Sequence, residues 1–149
     1  MYIWKTNKLA EDLKENKVSQ TDFKRYYLIS SVILSISVYF LSIEARPYPV
    51  VCFFETVGVI IVTIFGLNLI FKANGGDDGK DYLNRVISLS LPVMIKSMVI
   101  AFLIGIVIGI LELSGISKEY LEYCISLSIV FVDALILWRV KVHVQCINS

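Results

Sequence analysis

The sequence contains few of the residues from which metal sites and catalytic centres are built. His143 is the single histidine among 149 residues, and the three cysteines, Cys52, Cys124 and Cys146, form no CxxC pair. Metal sites usually draw several ligands from such residues at characteristic spacings. No nucleophile–base pair is recognisable either. We therefore expect a protein that is not an enzyme and that binds neither a metal nor a cofactor.

The sequence is also poor in charge, and its charged residues are unevenly distributed. Charged residues make up 18% of the chain and hydrophobic residues 56%, whereas soluble domains are about a quarter charged. The charges concentrate in residues 1–25 and 72–85 and leave long apolar stretches between them. The formal net charge of +1 gives no support for direct nucleic-acid binding. This distribution is typical of an integral membrane protein.

Four apolar blocks are long enough to cross a bilayer as helices. They comprise residues 26–43, 50–71, 86–113 and 121–138. A helix needs about 20 residues to cross the hydrocarbon layer, and backbone polar groups in lipid must be satisfied within the helix. The sequence therefore predicts an all-α integral membrane protein with four transmembrane helices, in which a segment 1–25 precedes a transmembrane domain 26–149.

The placement of lysine and arginine predicts the orientation. Eleven of these residues lie in the N-terminal segment, the loop 72–85 and the C-terminal tail, whereas the two other loops hold one each, Arg46 and Lys118. Because basic loops stay on the cytoplasmic side, we predict that both termini are cytoplasmic. The first 25 residues are too charged for a cleavable signal peptide. We expect the first block to act as an uncleaved insertion signal.

The N-terminal segment predicts a short helix followed by a separate element. Leu9 and Leu13 lie four residues apart, and such an apolar stripe could rest on the inner leaflet with the neighbouring lysines toward lipid phosphates. Acidic residues in the same stretch oppose that arrangement. In the sequence SQTD, Ser19 and Asp22 form a capping box, so the next helix is predicted to begin near residue 20.

Lys96 and Asp133 interrupt the apolar blocks at similar depth, and Asn68 lies somewhat nearer the inner surface. An isolated charge there costs at least about 2.5 kcal/mol, and pairing lowers that cost. Pro92 removes a helical hydrogen bond and frees the carbonyl of Ser88. We predict an intramembrane polar centre in which Lys96 pairs with Asp133 while Asn68 and Pro92 lie nearby. It could lock the helices or serve a pore or switch, and Lys96 could instead snorkel to the interface.

Small residues recur at every fourth position of the third block and so share one helix face. They are Ser97, Ala101, Gly105 and Gly109. The last two form a G-x-x-x-G motif, which lets two helix backbones approach closely. The facing helix could belong to the same chain or to a second copy. We favour a homo-oligomer, because so small a membrane protein has little other surface to bury.

The loop NGGDDGKD, residues 74–81, matches neither a phosphate-binding loop nor an EF-hand. It predicts a flexible turn between two helices, with a docking or ion-responsive loop as the alternative. This loop and the N-terminal segment hold most of the charge on the predicted cytoplasmic side. We therefore predict that they dock a cytoplasmic protein, through Lys14, Lys17, Asp77, Asp78 and Lys80.

Cys52 and Cys124 fall near the same end of their blocks, at similar depth. A disulfide is possible if the two helices touch there. Free apolar thiols are the favoured expectation.

In size and layout, the whole chain resembles the small four-span proteins encoded in bacterial defence and toxin-immunity operons, including the membrane subunit of Kiwa-type anti-phage systems. The resemblance implies a bacterial inner-membrane oligomer, in contact with membrane lipids, that senses disturbance of the envelope in antiviral defence and works with a cytoplasmic partner. It assigns no role to particular residues. Two other functions stay open, namely a small channel or transporter around Lys96 and Asp133 and an immunity protein against a membrane-acting toxin.

Overall fold

The structure is a computed structural model that describes residues 2, 4–19, 21–23, 25–30, 33 and 48–148. Four helices are described over their whole length: α1 (Thr6–Lys14), α2 (Pro49–Ala73), α3 (Tyr82–Leu113) and α4 (Lys118–Asn148). A short 3₁₀ turn, Gly76–Asp78, lies between α2 and α3. No strand occurs in these ranges, so the part of the chain that the structure describes is all-α, as predicted.

The helices α2, α3 and α4 are long and apolar enough to cross a membrane, with 25, 32 and 31 residues. They confirm three of the four predicted spans and indicate a multi-pass membrane protein. The remaining predicted span, residues 26–43, is described only at 26–30 and 33, where the chain is helical. The rest of that span lies outside the described residues.

The helix α4 is the central element and packs against α1, α2 and α3. The contacts between α2 and α4 follow one another in the same direction along both helices, from the Glu55–Ser126 pair to the Ala73–Asn148 pair. These two helices are therefore parallel. The helix α3 connects them and runs in the opposite direction, as the single tight turns at its ends require.

The predicted N-terminal helix is confirmed as α1, but its apolar stripe contacts protein. Leu9 and Leu13 are only 1% and 4% exposed, and they belong to the same buried cluster as Val140 and Val144 of α4. The arrangement in which this stripe rests on lipid is thus wrong. Periodicity in the sequence showed that α1 has one apolar face, which either lipid or protein can cover.

The predicted capping box after α1 is present. The Ser19 hydroxyl donates to Asp22 Oδ2 at 2.8 Å and accepts from the backbone N–H of Asp22 at 3.2 Å. The following helix includes residues 21–23 and 25–30. Ser19 therefore caps the start of the following helix, because its hydroxyl and its carbonyl both accept the backbone N–H of Asp22.

The buried core lies at one end of the bundle. We call this end, formed by α1, the end of α2, the start of α3 and the end of α4, the basic end. Its buried apolar side chains include Leu9, Ile70, Leu89, Leu91, Val93, Val140, Val144 and Ile147. Toward the other end, large apolar side chains such as Phe65, Phe102 and Phe131 are exposed. This apolar surface suits contact with lipid.

Candidate functional site

The Lys96 side chain connects α3 to the N-terminal segment. Its Nζ donates a hydrogen bond of 2.7 Å to Thr6 Oγ1, and Thr6 is 2% exposed. The same ammonium lies 5.9 Å from the centroid of the Trp4 ring. Sequence reasoning missed both contacts, since a threonine and a tryptophan before the first span carry no signal for a partner 90 residues away.

The predicted ion pair between Lys96 and Asp133 is not formed. Asp133 Oδ2 instead accepts a 3.3 Å hydrogen bond from Thr63 Oγ1 of α2. Equal depth in the membrane did not bring the two charges together, because Lys96 lies on the side of α3 that faces α1 and Asp133 on the side of α4 that faces α2. The arrangement from which a channel was inferred is therefore absent.

The other two members of the predicted polar centre also lie apart. Asn68 is exposed on α2 and makes no side-chain hydrogen bond to any described residue. Pro92 is buried within α3, which continues through it, and the buried Ser88 hydroxyl lacks a hydrogen-bond partner among the described residues. Pro92 and Lys96 share one stretch of α3, but the four residues do not form one centre.

Two glycines of α2, which sequence reasoning missed, allow α2 and α4 to approach closely. A Cβ atom at Gly58 would lie 3.1 Å from Val130, and one at Gly66 would lie 2.6 Å from Leu137 Cδ1. Near the far end of the same interface, Ser126 Oγ donates to Glu55 Oε2 at 2.6 Å. The spacing of eight residues between the two glycines, close to two helical turns, was the available signal.

The small-residue stripe of α3 is not used in the same way. Ser97 is buried, whereas Ala101 and Gly105 are exposed. A Cβ atom at Gly105 or Gly109 would meet no atom of the described residues within 4 Å. The part of the chain that the structure describes therefore leaves the G-x-x-x-G motif without a packed neighbour.

The predicted turn between α2 and α3 is present and is held by hydrogen bonds. Arg85 Nη1 donates to Asn74 Oδ1 at 3.0 Å and to Asn148 Oδ1 at 2.8 Å. Asn148 in turn donates to the carbonyl of Ala73, and Asn74 to the carbonyl of Lys80. These contacts fasten the turn to the end of α4.

The predicted docking residues all lie exposed at the basic end. They are Lys14, Lys17, Asp77, Asp78 and Lys80. Lys17 forms an ion pair with Glu15, and the hydrogen bond in that pair raises the pKa of Lys17. The two charged segments line opposite sides of one cavity of about 190 Å³. Leu13 and Phe23 lie on one side, and Asp81 and Arg85 lie on the other. The structure thus brings the two segments together.

A second cavity at the basic end, of about 380 Å³, lies between α1, α3 and α4. Its lining includes Lys96, Arg139 and His143, and we call it the basic cleft. The Arg139 guanidinium lies 5.5 Å from the ring centroid of Trp138, which also lines the cleft. Sequence reasoning missed this cluster, because counting residues places Lys96 closer in depth to Asp133 than to Arg139.

None of the three cysteines forms a disulfide bond within the described ranges. Within the described ranges, no group of three or more histidine, cysteine or acidic residues is placed to hold a metal ion. No protein-family model, curated protein or solved structure matches the chain.

Proposed function

We propose that the chain is a non-enzymatic subunit of the bacterial inner membrane that homo-oligomerises and docks a cytoplasmic protein at the basic end. The observation that carries this proposal is the meeting of the two charged segments at the cavity between Phe23 and Arg85. Basic residues favour the cytoplasmic side, so the basic end faces the cytoplasm with both termini. The resemblance to Kiwa-type membrane subunits supports envelope sensing in anti-phage defence as the setting.

The docking surface is well suited to recognition because both of its parts are fixed before a partner arrives. Leu9 and Leu13 anchor α1 to the core, and Arg85 anchors the turn to α4. A surface that is already ordered loses less conformational entropy on binding. Exposed charges of both signs, from Lys14 to Asp78, favour one orientation of a complementary partner.

Co-purification tests the docking proposal directly. Tagged protein from membranes of the native host should retain a soluble protein, identified by mass spectrometry. The variant D77K/D78K reverses two charges on the docking surface and should reduce recovery of that protein by about tenfold. The matched control E112K/E119K makes the same change in charge at the other end of the bundle. Equal recovery with both variants, or no soluble protein at all, would refute docking at this surface.

The exposed face of α3 supports the oligomer. Gly105→Leu should leave the monomer folded, because a side chain there meets no described atom within 4 Å, yet it should block close helix contact between copies. Light scattering of detergent-purified protein should change from a multimer to a monomer, while Leu103→Ile stays multimeric. A monomeric wild type contradicts the proposal. A lower melting temperature of the Gly105→Leu monomer would place the contact within one chain.

A further inference from the structure

The basic cleft combines hydrogen-bond donors with an apolar wall. Lys96 of α3 and Arg139 and His143 of α4 contribute nitrogen donors, and α1 adds the side chains of Thr6 and Asn7. The apolar part consists of Val93, Ile100, Leu135 and Trp138. A site with this division fits a molecule that is anionic at one end and apolar at the other.

The positive charge in the basic cleft is not neutralised by the protein. Among the described residues, neither Lys96 nor Arg139 forms a salt bridge, and no acidic side chain lines this cavity. The Lys96 ammonium uses one of its three hydrogens on Thr6 Oγ1. The adjoining cavity has one acidic residue in its lining, Glu11, and the lysines Lys5 and Lys8 outweigh it there. The cleft therefore complements an anion.

The cleft lies near the inner boundary of the hydrocarbon layer, from which long basic side chains extend toward lipid phosphates. Lys96 is about 26 Å from the far end of α3 and Arg139 about 31 Å from the start of α4, at about 1.5 Å per residue. The hydrocarbon layer is about 30 Å thick. Trp4 and Trp138, the two tryptophans of the chain, both lie beside these cations. Tryptophan prefers the boundary between lipid and water.

We infer that the basic cleft binds one anionic phospholipid, whose phosphate accepts hydrogen bonds from Lys96 and Arg139 and whose acyl chain lies along Ile100 and Leu135. Free phosphate offers the same oxygens but leaves the apolar wall exposed to water, which favours the lipid. A zwitterionic lipid is disfavoured, because the cationic group in its head would be repelled by a site that is already positive. The bound lipid would join α1 to α3 and α4. This inference uses other residues than the docking surface and does not depend on a protein partner.

Tryptophan quenching tests the inference, since Trp138 lines the cleft and Trp4 lies beside Lys96. Full-length protein is reconstituted in phosphatidylcholine liposomes that contain increasing fractions of phosphatidylglycerol with brominated acyl chains. Quenching, measured relative to unbrominated lipid, should be half-maximal at a far lower fraction than with brominated phosphatidylcholine. The variant K96Q/R139Q should require a fraction about 30-fold higher, from the loss of two cationic contacts.

Three comparisons make the outcome decisive. The control K72Q/K80Q removes two charges from the basic end outside the cleft and should bind like the wild type, as should Arg139→Lys. If K96Q/R139Q loses its helical circular dichroism, Arg139→Gln alone, at an exposed position, should still weaken binding about fivefold. The inference would be overturned if both double variants weakened lipid binding equally or if the two brominated lipids quenched equally. Reversal of the quenching by excess inorganic phosphate would also overturn it.

Discussion

Replacing Gly66 by leucine is expected to separate α2 from α4 and to prevent the bundle from forming. Even the Cβ of alanine would lie 2.6 Å from Leu137 Cδ1 and 2.9 Å from Leu137 Cβ. The second of these atoms is fixed close to the α4 backbone, so a helix must shift. Overpacking of this kind costs about 1–3 kcal/mol. Denaturation by SDS should show that loss for Gly66→Ala and no folded fraction for Gly66→Leu.

A matched glycine on α3 provides the control. Gly105→Ala adds the same methyl group where no described atom lies within 4 Å, so the free energy of unfolding of the single chain should not fall, since alanine favours a helix more than glycine does. The double variant G66A/L137A removes two of the three atoms that the new methyl group meets, Leu137 Cγ and Cδ1, but keeps Cβ. It should still be more stable than the sum of the single changes predicts. Equal losses for Gly66→Ala and Gly105→Ala would contradict the close approach of α2 and α4.

Lys96 and Thr6 are expected to stabilise the protein as a coupled pair. A double-mutant cycle between Lys96→Met and Thr6→Val should give a coupling free energy of about 1.5–3 kcal/mol, because the hydrogen bond between them involves a charged donor. A cycle between Lys96→Met and Asp133→Asn should be additive within about 0.5 kcal/mol, since the two side chains share no partner. Both cycles are measured by SDS denaturation of the purified protein.

Limited proteolysis gives an independent measure of the same contact. Lys96→Met and Thr6→Val should each expose α1 to a soluble protease more often than the wild type, whereas Asp133→Asn should not. A large coupling between positions 96 and 133, with none between 96 and 6, would restore the ion pair and refute the contact described here.

The helices themselves were largely predictable, because length and apolar content determine which segments can cross a bilayer. The block 50–71 falls short of both ends of α2 by one or two residues, and the block 86–113 falls short only of the start of α3. The block 121–138 underestimates α4, which continues to Asn148. The apolar block marks only the part that contacts lipid, whereas backbone hydrogen bonding continues through residues such as Lys141.

The side-chain partners were not predictable. The sequence indicates how deep a residue lies in the membrane, but it does not indicate toward which neighbouring helix the side chain points. Counting residues places Lys96 and Asp133 at similar depth. The direction of each side chain turns by about 100° per residue, so it depends on how the helices pack. Partial signals were nevertheless present in Gly58 and Gly66, which share one face of α2, and in the hydroxyl of Thr63 within an apolar block.

The packing of α1 imposes an order on biosynthesis. Leu9 and Leu13 are made early, yet the buried cluster that receives them includes Val140 and Val144. A ribosome makes the chain from its N terminus, so α1 has no complete binding site until nearly all of α4 has been made. A chain that stops before residue 140 lacks this site and the Asn148 anchor of the turn. A partner of the kind proposed above, which recognises the assembled surface, would therefore not bind chains in which α4 is incomplete.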